Sequence, residues 1–193
     1  MATNTVEVFF DYTCAFSNRT RHWLEALDGI AAVWRPFSLL QQNHGGSGAS
    51  VFDRAEYADN VSLIALAVHA AVREAGGDID GYTQRMFTQW HEVPGRLRTE
   101  DIVGFGRAAG LRKFQREEAF AALAADHLQA KQRGVFGTPT LMLGDAPAAF
   151  VKLDAVPPTD RARTLWETLQ QLAQGVPELR EFQRVTRPAR EHS

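Results

Sequence analysis

Cys14 is the only cysteine in the 193-residue chain, and it stands where the apolar run Val6-Glu7-Val8-Phe9-Phe10 passes through Asp11-Tyr12-Thr13 into a helix-forming stretch. A thiol at a helix start meets unpaired backbone N–H groups and a partial positive charge, and both favour the thiolate, the nucleophilic form. Three residues on, where a dithiol motif carries its second cysteine, the chain has Ser17, so the motif reads Cys14-Ala15-Phe16-Ser17. Cys14 therefore cannot close a disulfide within this polypeptide. A hydroxyl one turn along the same helix face can donate to the Cys14 thiolate. Asp11, three residues before the cysteine, opposes that effect with its own negative charge. Phe16 gives the site an apolar lip, and Tyr12 offers a hydroxyl to a ligand.

The remaining candidates are histidines. His22 falls two turns into the first helix, too far along to serve Cys14 as a base. His127 lies on an apolar helix face with no second ligand at metal-binding spacing, which reads as a hydrogen-bonded core histidine and not a metal site. His91-Glu92 follows Trp90 at a helix end and can wall a substrate pocket, and His44 sits in a loop able to swing toward the site. His69 and His192 carry no signal.

Positioning these residues requires a strand, a helix from about Ala15 to Leu27, a break at Asp28-Gly29, and a second strand from Ala31 to Leu40. Gln41 to Ser50, with Gly45-Gly46-Ser47-Gly48, reads as a loop. From Asp53 to Arg133 the spacing becomes helical: Val61, Ile64, Ala65, Val68 and Val72 share one face, and Tyr82, Met86 and Trp90 another. Thr99 reads as the cap of a short helix, and Phe120, Leu123, Ala124, His127 and Leu128 mark a longer one that ends at Gly134. Alternation returns in Pro139-Thr140-Leu141-Met142-Leu143 and, after a turn at Gly144-Asp145, in Ala149-Phe150-Val151-Lys152-Leu153, a hairpin signal. A last helix begins at Thr159 and buries Ala162, Leu165, Trp166, Leu169, Leu172 and Ala173. The expected organisation is an α/β domain formed by residues 1–52 and 134–183, an all-helical insertion at 53–133, and a frayed tail at 184–193.

The order β-α-β, helical block, β-β-α, with a cysteine after the first strand and Gly137-Thr138-Pro139-Thr140 before the third, resembles the thioredoxin fold of the DsbA-type thiol oxidoreductases. The likeness is strongest to the branch that includes the FrnE proteins, and extends more distantly to kappa-class glutathione transferases and 2-hydroxychromene-2-carboxylate isomerases. It rests on Phe9-Phe10-Asp11, Trp34-Arg35-Pro36-Phe37-Ser38-Leu39, Trp90-His91-Glu92 and Gly134-Val135-Phe136-Gly137-Thr138-Pro139-Thr140. The resemblance implies a cis Thr138–Pro139 bond facing Cys14. It also implies a role for Thr138 and Pro139 as the backbone platform that receives a substrate disulfide or thiol, with Trp90 and His91 at the pocket wall. Ser17 is the departure, because the dithiol members release their mixed disulfides through a cysteine there.

Three functions stay open: a thiol-disulfide oxidoreductase or isomerase acting through Cys14 alone; a transferase or isomerase using a glutathione-like thiol on small apolar molecules; and a non-catalytic peptide-binding protein. A Ser17 introduced to trap intermediates would read the same way. No tightly bound cofactor and no metal are expected, with glutathione or another low-molecular-weight thiol as co-substrate and a protein or small molecule bearing a thiol or disulfide as partner. A net charge of −2 gives no sign of nucleic-acid or anionic-membrane binding. No apolar run approaches the roughly 20 residues of a bilayer span, and the opening Met1-Ala2-Thr3-Asn4-Thr5 lacks a secretion signal, so a cytoplasmic location is expected.

Overall fold

The computed structural model describes residues 4–44, 50–144, 148–176, 178, 179 and 181. Strand β1 (Asn4–Phe10) leads into helix α1 (Ala15–Glu25), β2 (Ile30–Pro36) and the short helix α2 (Leu39–His44). Four helices follow: α3 (Val61–Glu74), α4 (Ile79–His91), α5 (Thr99–Ala108) and α6 (Arg116–Gln132). The chain then returns through β3 (Thr140–Met142), β4 (Ala149–Phe150) and α7 (Thr159–Gly175). The four strands form one sheet in the order β2-β1-β3-β4, with β1 parallel to β2 and antiparallel to β3.

Period-two alternation in β1 sets its two faces. Val6 and Val8 pack with Trp23 and Leu24 of α1, Leu141 of β3 and Trp166 of α7. Phe9 points the other way and meets Phe37, Ala130 and Val135. On that same side Glu7 accepts ion pairs from Arg35 at 2.9 Å and Arg133 at 2.6 Å, which fasten β2 and the end of α6 to the strand. Phe10, the last residue of β1, enters the helical core beside Tyr12, Leu63, Met86 and Phe87, so the strand that carries the site is anchored in both halves of the molecule.

Several boundaries differ from those expected. Strand β2 stops at Pro36, and Leu39 and Leu40 open α2 because Ser38 Oγ accepts from the Gln41 N–H as a helix cap would. Gln41 to His44 are thus helical, while residues 45–49 lie outside the described set. Helix α1 ends at Glu25, two residues before Leu27. Thr99 is the first residue of α5 and not its cap; Arg98 occupies that position, its own N–H donating to Asp101 at 3.1 Å. The hairpin forms, but β4 ends at Phe150, before Lys152 and Leu153. The expected turn residue Asp145 and the tail from 184 onward also lie outside the described residues.

Candidate active site

Cys14 is the N-cap residue of α1, with extended backbone angles (φ −84°, ψ 109°) and a turn closed by its N–H on the Asp11 carbonyl at 3.0 Å. No acidic side chain lies in the first turn of α1, so nothing there offsets the positive end of the helix. Cys14 is 8% exposed, and its thiol donates to the Thr138 carbonyl at 3.4 Å, a contact across 124 residues of sequence. The Thr138–Pro139 peptide is cis. Its loop is delivered by Gly134, whose φ of +83° lets α6 end with the Val135 N–H bonded back to the Ala130 carbonyl. It is held from the other side by Val151, whose N–H donates to the Pro139 carbonyl at 3.2 Å.

Ser17 is fully buried on the inward face of α1, and its hydroxyl makes no hydrogen bond; the Cys14 sulfur is paired with Thr138, not with Ser17. The hydroxyls of Thr20 and Thr138 are likewise buried and unpartnered. Asp11 is buried and fully engaged. Its Oδ1 accepts from the N–H and hydroxyl of Thr13, and its Oδ2 accepts from the Leu39 N–H at 2.8 Å, so one carboxyl ties the cysteine turn to the start of α2. Burial pushes this carboxyl above the usual aspartate range, against the pull of those three donors.

Tyr12 is placed otherwise than expected. Its ring is fully buried, and its hydroxyl donates to His69 Nδ1 at 2.9 Å, so that hydroxyl is not presented to a ligand. The His69 tautomer follows from its other nitrogen, which donates to the Trp34 carbonyl at 3.2 Å and leaves Nδ1 as the acceptor. Tyr12 also contributes its carbonyl, which accepts from His91 Nε2 at 2.8 Å. His91, at the end of α4, thereby braces the segment before Cys14, and burial lowers its pKa below the ordinary histidine value. Replacement of His91 by alanine is expected to cost about 1 kcal/mol, and to speed amide hydrogen exchange at Thr13 and Cys14 while α7 is unaffected.

Trp90, grouped with His91 by sequence, turns instead to the helical block, where it borders a cleft of about 180 Å³ with Val61, Arg96 and Leu97. A larger cavity of about 440 Å³ opens between α2 and α6, lined by Gln41, Phe52, His127 and Lys131 among others. Neither of these two cavities is lined by Cys14, Thr138 or Pro139. His127 is buried and stacked on Phe37 with ring centroids 4.3 Å apart, but its Nδ1 has no partner, so it is a core histidine without the expected hydrogen bonding. His44 donates to the Leu40 carbonyl within α2, and His22 joins Glu92 and the buried Arg21 in a cluster that bolts α1 to the end of α4. Among the described residues no group of three histidine, cysteine or acidic side chains is disposed to hold a metal. No helix there is long and apolar enough to cross a membrane.

Phe16 is half-buried, and the Arg19 guanidinium and the Lys152 ammonium both lie over its ring, at 4.7 Å and 5.3 Å from the centroid. Lys152 also covers Phe150, which packs on the exposed Phe136 with centroids 4.8 Å apart. A Cβ on Gly137 would stand 3.0 Å from the Phe150 ring, so glycine permits this aromatic pair to lie against the cis-proline loop. The sequence reading missed Phe136, Phe150, Arg19 and Lys152. The spacing Phe16–Arg19, three residues on a helix, and the pairing of Phe150 with Thr140 across the hairpin were signals for two of them.

A four-stranded sheet flanked by helices, a cysteine capping the helix after the first strand, and a cis-proline loop opposite its sulfur define a thioredoxin-fold protein with a helical insertion. The chain belongs to the family of the DSBA-like thioredoxin domain, whose model matches residues 5–170. It is therefore a member of the DsbA-like thiol-disulfide oxidoreductase family. Among solved structures it is similar to ScsC of Proteus mirabilis in a compact conformation (16% identity, TM-score 0.54, 89% of this chain and 84% of that one). It is also similar to a periplasmic thioredoxin-like protein from Salmonella enterica serovar Typhimurium (17% identity, TM-score 0.54, 88% and 85%). A thioredoxin-like oxidoreductase from Silicibacter pomeroyi matches at 17% identity and a TM-score of 0.50, over 86% of each chain. These likenesses establish the fold. No curated protein sequence matches the chain.

Proposed function

We propose that the protein is a monothiol exchange enzyme in which Cys14 alone carries the covalent chemistry. The observation behind this reading is the juxtaposition of the Cys14 sulfur, 3.4 Å from the Thr138 carbonyl, with a serine at the position of a second thiol. The Cys14 thiolate attacks one sulfur of a substrate disulfide RSSR, forming Cys14–S–S–R and releasing RS⁻; an external thiolate R′S⁻ then attacks that adduct, regenerating the Cys14 thiolate and leaving RSSR′. Each step breaks one S–S bond and makes one, and no other oxidant is needed.

Once ionised, the sulfur no longer donates to Thr138, and that carbonyl is freed to pair with the main chain of an extended ligand. Ser17, with its hydroxyl uncommitted one turn along the same face, is the donor to the thiolate. Glutathione or a comparable small thiol serves as R′S⁻. Cys14 lines neither of the two cavities described above, which favours a disulfide brought to the cis-proline loop over a small apolar molecule held in either of them.

The test is mass spectrometry after incubation with oxidised glutathione. One adduct on Cys14, released by excess thiol and absent in Cys14→Ser, is the expected result. A protein whose Cys14 is alkylated by iodoacetamide yet forms no mixed disulfide would sink the proposal.

A further inference from the structure

Two cations crown the lip of the site without an acidic partner. Arg19 Nε donates to the Leu153 carbonyl at 2.6 Å and lies over Phe16, and Lys152 spans Phe16 and Phe150; neither forms an ion pair among the described residues. Several other arginines are held in ion pairs. Arg21 is bound to Glu25 and Glu92, Arg35 and Arg133 to Glu7, and Arg73 to Asp126. The carboxylates near the cysteine are spoken for too, Asp11 by three donors and Glu92 by Arg21 and His22. Asp154, two residues beyond Lys152 and exposed, makes no ion pair with it.

The placement of the pair follows from the fold. Arg19 sits one turn beyond Phe16 on α1, and Lys152 follows Phe150 and Val151 on the segment whose backbone holds Pro139. Both charges therefore project from the two elements that flank the cis-proline loop, beside a half-exposed aromatic surface made of Phe16, Phe136 and Phe150. An ammonium and a guanidinium over ring faces are held in place by the ring quadrupoles. Their charge stays available to a ligand at the lip.

We propose that Arg19 and Lys152 form an anion-recognising rim that selects disulfides carrying carboxylate charge. The inference rests on the monothiol reading above and specifies its substrate. A carboxylate on the half of the substrate that is joined to Cys14 meets the cations at the lip, while the aromatic surface takes the chain between it and the sulfur. The field also gathers such anions before contact, an effect that salt weakens.

The experiment compares rates of mixed-disulfide formation at Cys14 with three probes: oxidised glutathione, which is anionic; hydroxyethyl disulfide, neutral; and cystamine, cationic. Each rate is normalised to that of a free cysteine peptide. At low salt the glutathione probe is expected to be favoured over the neutral one by about three- to tenfold, a preference that shrinks in roughly 0.5 M salt. Lys152→Gln should reduce it and Lys152→Glu should invert the order of glutathione and cystamine, whereas Lys113→Glu, on the far loop before α6, leaves it unchanged. A normalised order indifferent to salt and to Lys152 overturns the proposal. The ratio of iodoacetate to iodoacetamide alkylation at Cys14 reads the same field without any exchange. A Lys152-dependent ratio with no adduct from any disulfide would support the rim and refute the exchange reading.

Discussion

In Ser17→Cys, the mixed disulfide between Cys14 and glutathione collapses within the dead time of a hand-mixed quench, whereas in the parent protein it persists until external thiol is added. Residues 14 and 17 are neighbours on one helix face, and the second thiol would attack the adduct intramolecularly. Such steps gain effective molarities far above any cellular thiol concentration, so a lifetime shortened by at least about a hundredfold is expected. Ser17 is fully buried and its hydroxyl holds no hydrogen bond, so exchange of oxygen for sulfur breaks no existing hydrogen bond. The variant should be isolated with a disulfide between Cys14 and the introduced thiol, and gain reductase activity on insulin in the presence of dithiothreitol. Quenched-flow mass spectrometry gives the adduct lifetime directly. If the adduct survives as long as in the parent while circular dichroism shows an intact fold, the two positions are not in attacking geometry and the assignment of Ser17 to the resolving position fails.

That the site could be read so far from sequence reflects where its information lies. Cys14, Ser17 and the Gly134–Thr140 loop are local patterns whose partners are dictated by strand order, and β1 pairs with both β2 and β3 as the β-α-β and hairpin signals require. What was not legible depends on side chains choosing between surface and core. Tyr12 follows Phe10 and Asp11 and reads as a site tyrosine, but the helical block supplies His69 as a buried acceptor and the ring turns inward with Phe10 and Phe87. Trp90 and His91 are adjacent, yet about 100° apart on a helix; one faces the helical cleft and the other reaches the Tyr12 carbonyl.

The end of β2 shows a competition between propensity and capping. Leu39 and Leu40 continue an apolar run, but Pro36 lacks the N–H a ladder needs, and Ser38 together with Asp11 supplies acceptors for a helix start. Lys152 was hidden for a related reason: the hairpin pattern continued to Leu153, while pairing stops at Phe150 and frees Lys152 to fold over the rings. Asp11 illustrates how a charge read as a tuning element becomes an architectural one. Its burial and three donors make it the joint between the cysteine turn and α2.

Acidification should destabilise the fold through His69 well before general acid unfolding. Burial is the largest cause of its depressed pKa, aided by the nearby positive charges of Arg73 and Arg35 and opposed by the Trp34 carbonyl, and the value falls from 6.5 to about 3. Between those two values the unfolded chain binds a proton that the native state refuses. The neutral histidine's contribution is therefore complete above about pH 6.5 and is lost as pH falls, by up to roughly 1.4 kcal/mol per pH unit. Asp11 acts in the opposite sense: its raised pKa favours the native state at low pH and loses that contribution as pH rises above 3.8. A direct pH scan would mix the two with His91 and His127, whose pKa values are also lowered. The difference between the parent and His69→Gln cancels those other groups, because glutamine keeps an amide at the position without titrating. Urea unfolding at pH 7 and pH 4 should show the parent's advantage over the variant shrinking by roughly 3 kcal/mol. The loss would be transmitted to the site, since Tyr12 binds His69 through its hydroxyl and His91 through its carbonyl. A difference constant across that range would mean that His69 takes up its proton in the folded state, with the Tyr12–His69–Trp34 chain rearranged to admit it.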